Sequence, residues 1–249
     1  MKQIVKVMCL AVLTVGMAYS AQAQFRQSIY LNGNIPLGGF ASHISTGANR
    51  TYVMPEQNVP LGYTEIGKEA SIGFGAGYRA SYRFDVGVGL VAPLLQADFF
   101  WNMIDGDLRD DYTNARAKHT PTYFNIPIFA GVSYLYDEMP YDITPYGEFG
   151  IGSDIMFITS EGPCTFSGVN TLKYSYKPST TFAFMLGVGA YFGRHVSAGI
   201  YYYNMGKHTI NYTNSTYDNL DAASQLAYNN NDVQTRTVGS LALRIGFHF

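Results

Sequence analysis

The sequence predicts an all-β fold: an eight-stranded antiparallel transmembrane up-and-down β-barrel with short periplasmic turns and long extracellular loops. Three observations carry this prediction. Several stretches alternate apolar with small or polar residues at a period of two, the spacing that puts one set on each face of a strand. The connections between those stretches are alternately long and short, as in barrels whose two ends face different compartments. The closing stretch sets Leu241, Leu243, Ile245, Phe247 and Phe249 on one face, against Ala242, Arg244, Gly246 and His248 on the other. A soluble domain seldom leaves two phenylalanines on a frayed end, whereas a membrane-barrel strand turns such a ridge to lipid.

Composition agrees. Only 14% of residues are charged while 15% are aromatic, with 21 Tyr, 16 Phe and 26 Gly. A lipid-facing band between aromatic girdles excludes charge and gathers rings in this way. A net charge of -2 gives no electrostatic case for binding nucleic acid.

Residues 1–23 read as a secretory signal peptide. Lys2 and Lys6 form the basic start, an apolar run extends from Val7 to Ala18, and Ala21-Gln22-Ala23 is a small-x-small cleavage site. Residues 24–249 are then the barrel domain. Cys9 falls in the leader, so Cys164 is the one cysteine expected in the mature chain and no internal disulfide can form.

The first strand is expected over 28–37, with Ile29, Leu31, Gly33, Ile35 and Leu37 opposite Ser28, Tyr30, Asn32 and Asn34. A polar loop, 39–69, follows. The second strand, 70–84, has the clearest pattern: Ile72, Phe74, Ala76, Tyr78, Ala80, Tyr82 and Phe84 against Ser71, Gly73, Gly75, Gly77, Arg79, Ser81 and Arg83. After a tight turn at Asp85 the third is expected over 86–102. There Val86, Val88, Leu90, Ala92 and Leu94 alternate before the phase slips near Gln96, which predicts a β-bulge. The polar stretch 104–119 leads to a fourth strand, 123–136, with Phe124, Ile126, Ile128, Ala130, Val132 and Tyr134 outward and Asn125, Pro127, Gly131 and Ser133 inward.

A short connection, 137–144, precedes the fifth strand, 145–159, where Phe149, Ile151, Ile155 and Phe157 oppose Glu148, Gly150, Gly152 and Asp154. The stretch 160–178 reads as a loop. The sixth strand, 181–192, sets Phe182, Phe184, Leu186, Val188, Ala190 and Phe192 against Ala183, Gly187, Gly189 and Tyr191. A turn at 193–195, a seventh strand over 196–210 and an Asn-rich loop, 211–233, bring the chain to its closing strand. A lipocalin-like soluble barrel would also have about eight strands. Its outer face would be charged, whereas here the face opposite the apolar one is mostly Gly, Ser, Asn, Arg and Glu, too polar for a lipid-carrying cavity and too sparsely charged for a soluble exterior.

The closing strand is similar to that of bacterial outer-membrane β-barrels, in which it is also the recognition signal for the barrel-assembly machinery. That resemblance implies assembly-signal roles for Leu241, Leu243, Ile245, Phe247 and Phe249. The segments Phe124-Asn125-Ile126-Pro127-Ile128, Pro145-Tyr146-Gly147-Glu148-Phe149-Gly150 and Gly187-Val188-Gly189-Ala190-Tyr191-Phe192 resemble the PorT-like outer-membrane barrels of Bacteroidetes, of the eight-stranded OmpA/OmpX type. The resemblance implies the barrel and a bacterial outer-membrane location with both termini periplasmic. Outer-membrane lipid and lipopolysaccharide are the partners it implies.

Chemical motifs are few. Gly73-Phe74-Gly75-Ala76-Gly77 lies inside an alternating strand, so its glycines make room in a narrow lumen and do not cradle a phosphate. On that view Gly75→Ser costs less than arginine at Phe184 or Ala76. The acidic run from Asp105 to Asp111 places Arg109 and Asp110 where a Ca²⁺ loop needs a ligand and a glycine. Among His43, His119, His195, His208 and His248, only His208 lies near the loop end with candidate partners, Ser215 and Asp218. No cofactor and no metal site is expected.

The function expected is a non-enzymatic barrel acting through its extracellular loops on an extracellular or envelope partner, in surface interaction, adhesion or envelope integrity. The alternatives are a small porin or transporter, a secretion-associated PorT-like component, and an enzyme on outer-membrane lipid. The lumen is expected to be plugged by a charge network of Arg79, Arg83, Glu148, Asp154 and Arg244. Glu148 would sit between Arg79 and Arg244, with Arg83 below, Asp154 above, and Tyr191, Tyr201 and Tyr203 adding bulk.

Overall fold

A computed structural model of the chain describes residues 24–41, 70–106, 109, 122–136, 142–159, 161–166, 170–215 and 234–249. The leader, the acidic run beyond Gly106 apart from Arg109, His43, His119 and Asp218 lie outside these residues.

Eight strands close into one antiparallel barrel: β1 (Gln24–Leu37), β2 (Ala70–Asp85), β3 (Leu90–Ile104), β4 (Thr122–Leu135), β5 (Ile143–Ile158), β8 (Ser179–Phe192), β9 (Val196–Ile210) and β11 (Gln234–His248). Each pairs with the next in the chain, and β11 returns to β1, where Ile29 meets Phe247 and Ile35 meets Leu241. Strands of 14 to 16 residues exceed the roughly 9–11 residues that cross a bilayer when tilted. Closure leaves no free sheet edge within the barrel.

The alternation sorts the side chains cleanly. Leu31, Leu95, Ile128, Val188, Leu243 and Ile245 are exposed around the outside. Exposed rings flank this aliphatic band, with Phe25, Tyr134, Phe192 and Phe247 toward the turn end and Phe74, Phe99 and Phe182 toward the loop end. Water would make such a surface an aggregation site; hydrocarbon with an interface on either side satisfies it.

β3 differs from the sequence expectation in three ways. It begins at Leu90, so Val86 and Val88 are exposed in the connection after β2. No bulge occurs near Gln96: Arg79 faces Gln96 and Ser81 faces Leu94 in unbroken register. Ala92, Leu94, Gln96, Asp98, Phe100 and Asn102 all point inward and are buried. On β3 the turn-end part of the inner wall, Ala92 and Leu94, is itself apolar, and an apolar inner wall has the same sequence signature as a lipid-facing one.

The bulge lies elsewhere. Asn204 faces Gly239 but Lys207 faces Thr237, so Met205 and Gly206 together oppose Val238. Gly206 sits at φ +80, in the left-handed region that glycine adopts without a steric penalty. The extra residue reverses the parity of β9, so both Met205 and His208 point into the lumen.

The stretch read as a loop over 160–178 contains β6 (Glu161–Phe166) and β7 (Asn170–Tyr176). β7 also pairs with β10 (Tyr212–Ser215), giving a three-stranded sheet above the loop end. At the mouth below, the chain leaving β1 turns at Gly38 and enters a 3-10 helix, Gly38–Phe40. This drops Phe40 onto Tyr123, with ring centroids 5.2 Å apart.

Large residues on one strand lie over glycines on its neighbours. A Cβ on Gly77 would run into the Tyr30 ring and the Asp98 carboxylate, and one on Gly187 into the Tyr201 ring. A Cβ on Gly75 would meet the Phe99 carbonyl oxygen and the Phe100 ring. Gly75→Ser is therefore not the mild change that a merely crowded polar interior implies; the wall there touches backbone.

Candidate functional site: the lumen

Two stacked ionic layers fill the middle of the barrel. In the lower, the Arg79 guanidinium on β2 pairs across the lumen with Glu148 on β5, and its Nη2 donates to the Tyr191 hydroxyl at 2.7 Å. The second carboxylate oxygen of Glu148 accepts from Tyr201 at 2.8 Å, and the Tyr146 hydroxyl lies 2.9 Å from that of Tyr201. Burying an ion pair is costly unless the remaining lone pairs are satisfied, and two phenols contribute to that here.

Arg244 builds the upper layer, and its partner is Asp98, not Glu148. Its Nη2 lies 3.4 Å from Asp98, Nη1 donates to Gln96 at 3.1 Å, and Nε donates to Asn32 at 3.2 Å. It also bonds the Tyr203 hydroxyl. The Tyr30 and Tyr201 rings face it from either side, each centroid 3.7 Å from Cζ. A delocalised cation between two π-faces is stabilised over both faces while its edge donates in plane. Gln96 Nε2 adds a 2.6 Å hydrogen bond to Asp98.

Asp154 lies above, paired with His208 at 3.0 Å and accepting from Asn125 at 2.7 Å. Both Asp154 and His208 are fully enclosed. The bulge at Gly206 thus takes His208 into the lumen, to a carboxylate four strand positions from the end of β5. Arg83 lies at the turn end with its guanidinium 4.7 Å from the Tyr191 ring.

The five network residues expected from the sequence therefore divide. Arg79 and Glu148 meet, while Arg244, Asp154 and Arg83 each find other partners. Asp98, Gln96 and His208 complete the lumen and were not expected there, the first two because a bulge was placed beside them. Among the described residues no three His, Cys, Asp or Glu side chains gather as metal ligands.

The closing strand is tied at its tip. His248, buried on the inner face of β11, lies between Ser28 on β1 (2.6 Å) and Ser197 on β9 (2.7 Å). The Phe249 and Gln27 backbones exchange two 3.0 Å hydrogen bonds. On the outer face Leu241, Leu243, Ile245, Phe247 and Phe249 form an exposed row. Deleting residues 247–249 removes the turn-end pairs of the seam between first and last strands, from Gln27 with Phe249 to Ile29 with Phe247, together with the His248 tie. The expected result is loss of most heat-modifiable barrel from the membrane fraction; unchanged levels would deny the ridge an assembly role.

The protein is thus a closed eight-stranded up-and-down barrel with an apolar exterior and a filled polar lumen. No protein-family model and no curated protein matches the sequence. Among solved structures the chain is similar to neisserial surface protein A, at 12% identity and TM-score 0.41 over 91% of this chain and 99% of that one. It is similar to a major outer membrane protein of Thermus thermophilus at 12% identity and TM-score 0.46, over 91% of this chain and 100% of that one. It is also similar to the attachment invasion locus protein Ail of Yersinia pestis at 11% identity and TM-score 0.38, over 92% and 99% of the two chains. These are likenesses of barrel architecture and carry nothing about activity.

Proposed function

We propose that the chain is a non-conducting, non-enzymatic outer-membrane barrel that acts through its loop end, on an extracellular or envelope partner. The resemblance of three strand segments to those of PorT-like barrels fits the same placement. The exposed aliphatic band between aromatic girdles supports the membrane location. The observation that carries the functional reading is the filled lumen. Arg79, Glu148, Asp98, Arg244, Tyr201 and Tyr203 are all 0–5% exposed, and Phe40 and Tyr123, both buried, pack against each other toward the loop end. Eight strands enclose little more than the volume of their own side chains. Ions have no water-filled path, so the useful surface is outside, where the sheet of β6, β7 and β10 stands above the barrel. His208 is enclosed against Asp154, which leaves its imidazole no face toward a substrate.

Planar-bilayer recording tests this reading. The intact protein is expected to give no steady conductance, and Glu148→Ala, which leaves Arg79 unmatched and opens space beside it, is expected to give small channels. Steady conductance by the intact protein would replace this reading with the small-porin one.

A further inference from the structure

The bulge at Gly206 redirects two side chains at once. On β9 the odd-numbered Ser197, Tyr201 and Tyr203 are buried in the lumen, and an unbroken strand would bring Lys207 in after them. With Met205 and Gly206 both set against Val238, Lys207 turns outward and is exposed, while His208 takes the enclosed place against Asp154. Among the described residues of the eight barrel strands, Lys207 is then the one Lys, Arg, Asp or Glu on the outer face. Arg236, opposite His208, belongs to the inner row.

The strand register fixes what surrounds Lys207. Thr237 on β11 stands opposite it, and Thr235 stands opposite Thr209. Directly opposed residues of an antiparallel pair share a face, with Cβ atoms about 4.5–5.5 Å apart. Thr235 and Thr237 are exposed and Thr209 is half-buried, so three hydroxyls flank one ammonium. On the other side β8 passes Gly206, where a Cβ would meet the Phe182 carbonyl oxygen. The Phe182 ring is 63% exposed in the loop-end aromatic row, so Lys207 lies level with rings of the kind that mark headgroup depth. At that depth a lysine stem lies along apolar surface while its ammonium reaches the polar side. Ion pairs among the described residues involve Arg79, His208 and Arg244, and none involves Lys207.

We propose that Lys207, with Thr209, Thr235 and Thr237 around it, binds the phosphate of an anionic lipid headgroup in the loop-end leaflet. Headgroup phosphates are the anions that a bilayer supplies at this level, and their oxygens accept from ammonium and hydroxyl alike. A zwitterionic headgroup brings its own cation to its phosphate, so a lysine favours a headgroup of net negative charge. The inference rests on the membrane placement of the outer face proposed above, and not on whether the lumen conducts.

The test uses the full barrel, isotope-labelled in maltoside micelles, which contain no phosphate. Dihexanoyl phosphatidylglycerol, dihexanoyl phosphatidylcholine and inorganic phosphate are titrated separately while the Lys207 side chain and the amides of 207, 209, 235 and 237 are followed by NMR. Phosphatidylglycerol is expected to give saturable shifts there with an affinity about fivefold above that of phosphatidylcholine, the scale of one lysine's attraction to an anionic surface. Lys207→Gln should remove the preference and Lys207→Arg should keep it. Lys177→Gln, at another exposed loop-end lysine, should leave it unchanged. No preference for phosphatidylglycerol, the same preference in Lys207→Gln, an equal loss in Lys177→Gln, or inorganic phosphate bound as tightly would each overturn the proposal. Insertion of the same preparation into phosphatidylcholine vesicles, read by heat-modifiable migration, separates the two inferences. Failure to insert would overturn the membrane placement and the proposal with it, whereas insertion without the preference overturns the proposal alone.

Discussion

Arg244→Ala is expected to destabilise the barrel by about 3–5 kcal/mol, the usual cost of leaving one member of a buried ion pair alone. The loss has two sources. Asp98 keeps only neutral neighbours, Gln96, Asn32 and Tyr203, which stabilise a buried carboxylate less than a guanidinium does. The space between the Tyr30 and Tyr201 rings also empties. Arg244→Lys should recover little, because an ammonium cannot reach Asn32, Gln96 and Asp98 together from a flat position between two rings. Arg244→Met combined with Asp98→Asn removes both charges and fills the slot, and should regain at least half the loss. Urea refolding followed by heat-modifiable migration gives all four stabilities. A cost below about 1 kcal/mol for Arg244→Ala would mean that Asp98 has another counter-charge or is not ionised.

Phe184→Arg is expected to cost about 2–4 kcal/mol if the site lies near the bilayer midplane. Phe184 faces outward on β8 beside Tyr202, 6.1 Å between ring centroids, two residues from the exposed Leu186 and Phe182. A charge there has hydrocarbon around it and no partner on the outer face. The same substitution at Lys207, already charged and exposed toward the loop end of β9, should cost close to nothing. The same refolding titration compares the two. Equal costs would place the hydrocarbon boundary elsewhere and with it the outer surface of the barrel.

Much of this fold was legible because strand parity leaves a direct trace in sequence. On β2 the alternation from Ser71 to Arg83 states which residues face in, and the structure places Gly73, Arg79 and Ser81 inside and Ile72, Phe74 and Tyr78 outside. Parity fails where both faces are apolar. Leu94 lines the lumen and Leu95 faces out, and the two read alike, so the phase of β3 was lost and Asp98, the counter-charge of Arg244, was lost with it. It fails again at Gly206, where one added residue turns His208 inward; a glycine within an alternating run was the available sign. The pair of β6 and β7 left no trace, because six- and seven-residue strands outside the barrel lack its long run of alternation.

The packing of Tyr30 over Gly77 and of Tyr201 over Gly187 bears on how the sequence can drift. Outward positions answer to a solvent that accepts any oily side chain, so leucine, isoleucine, valine and phenylalanine are interchangeable there, one at a time. Inward positions answer to one another. A larger residue at Gly187 is tolerable only where position 201 has already shrunk, and the reverse exchange leaves a hole. Such a chain should accumulate substitutions quickly around its circumference, while its interior changes rarely and in matched pairs. Relatives too diverged to align by their lipid-facing residues should still share the inner sequence of tyrosine set against glycine.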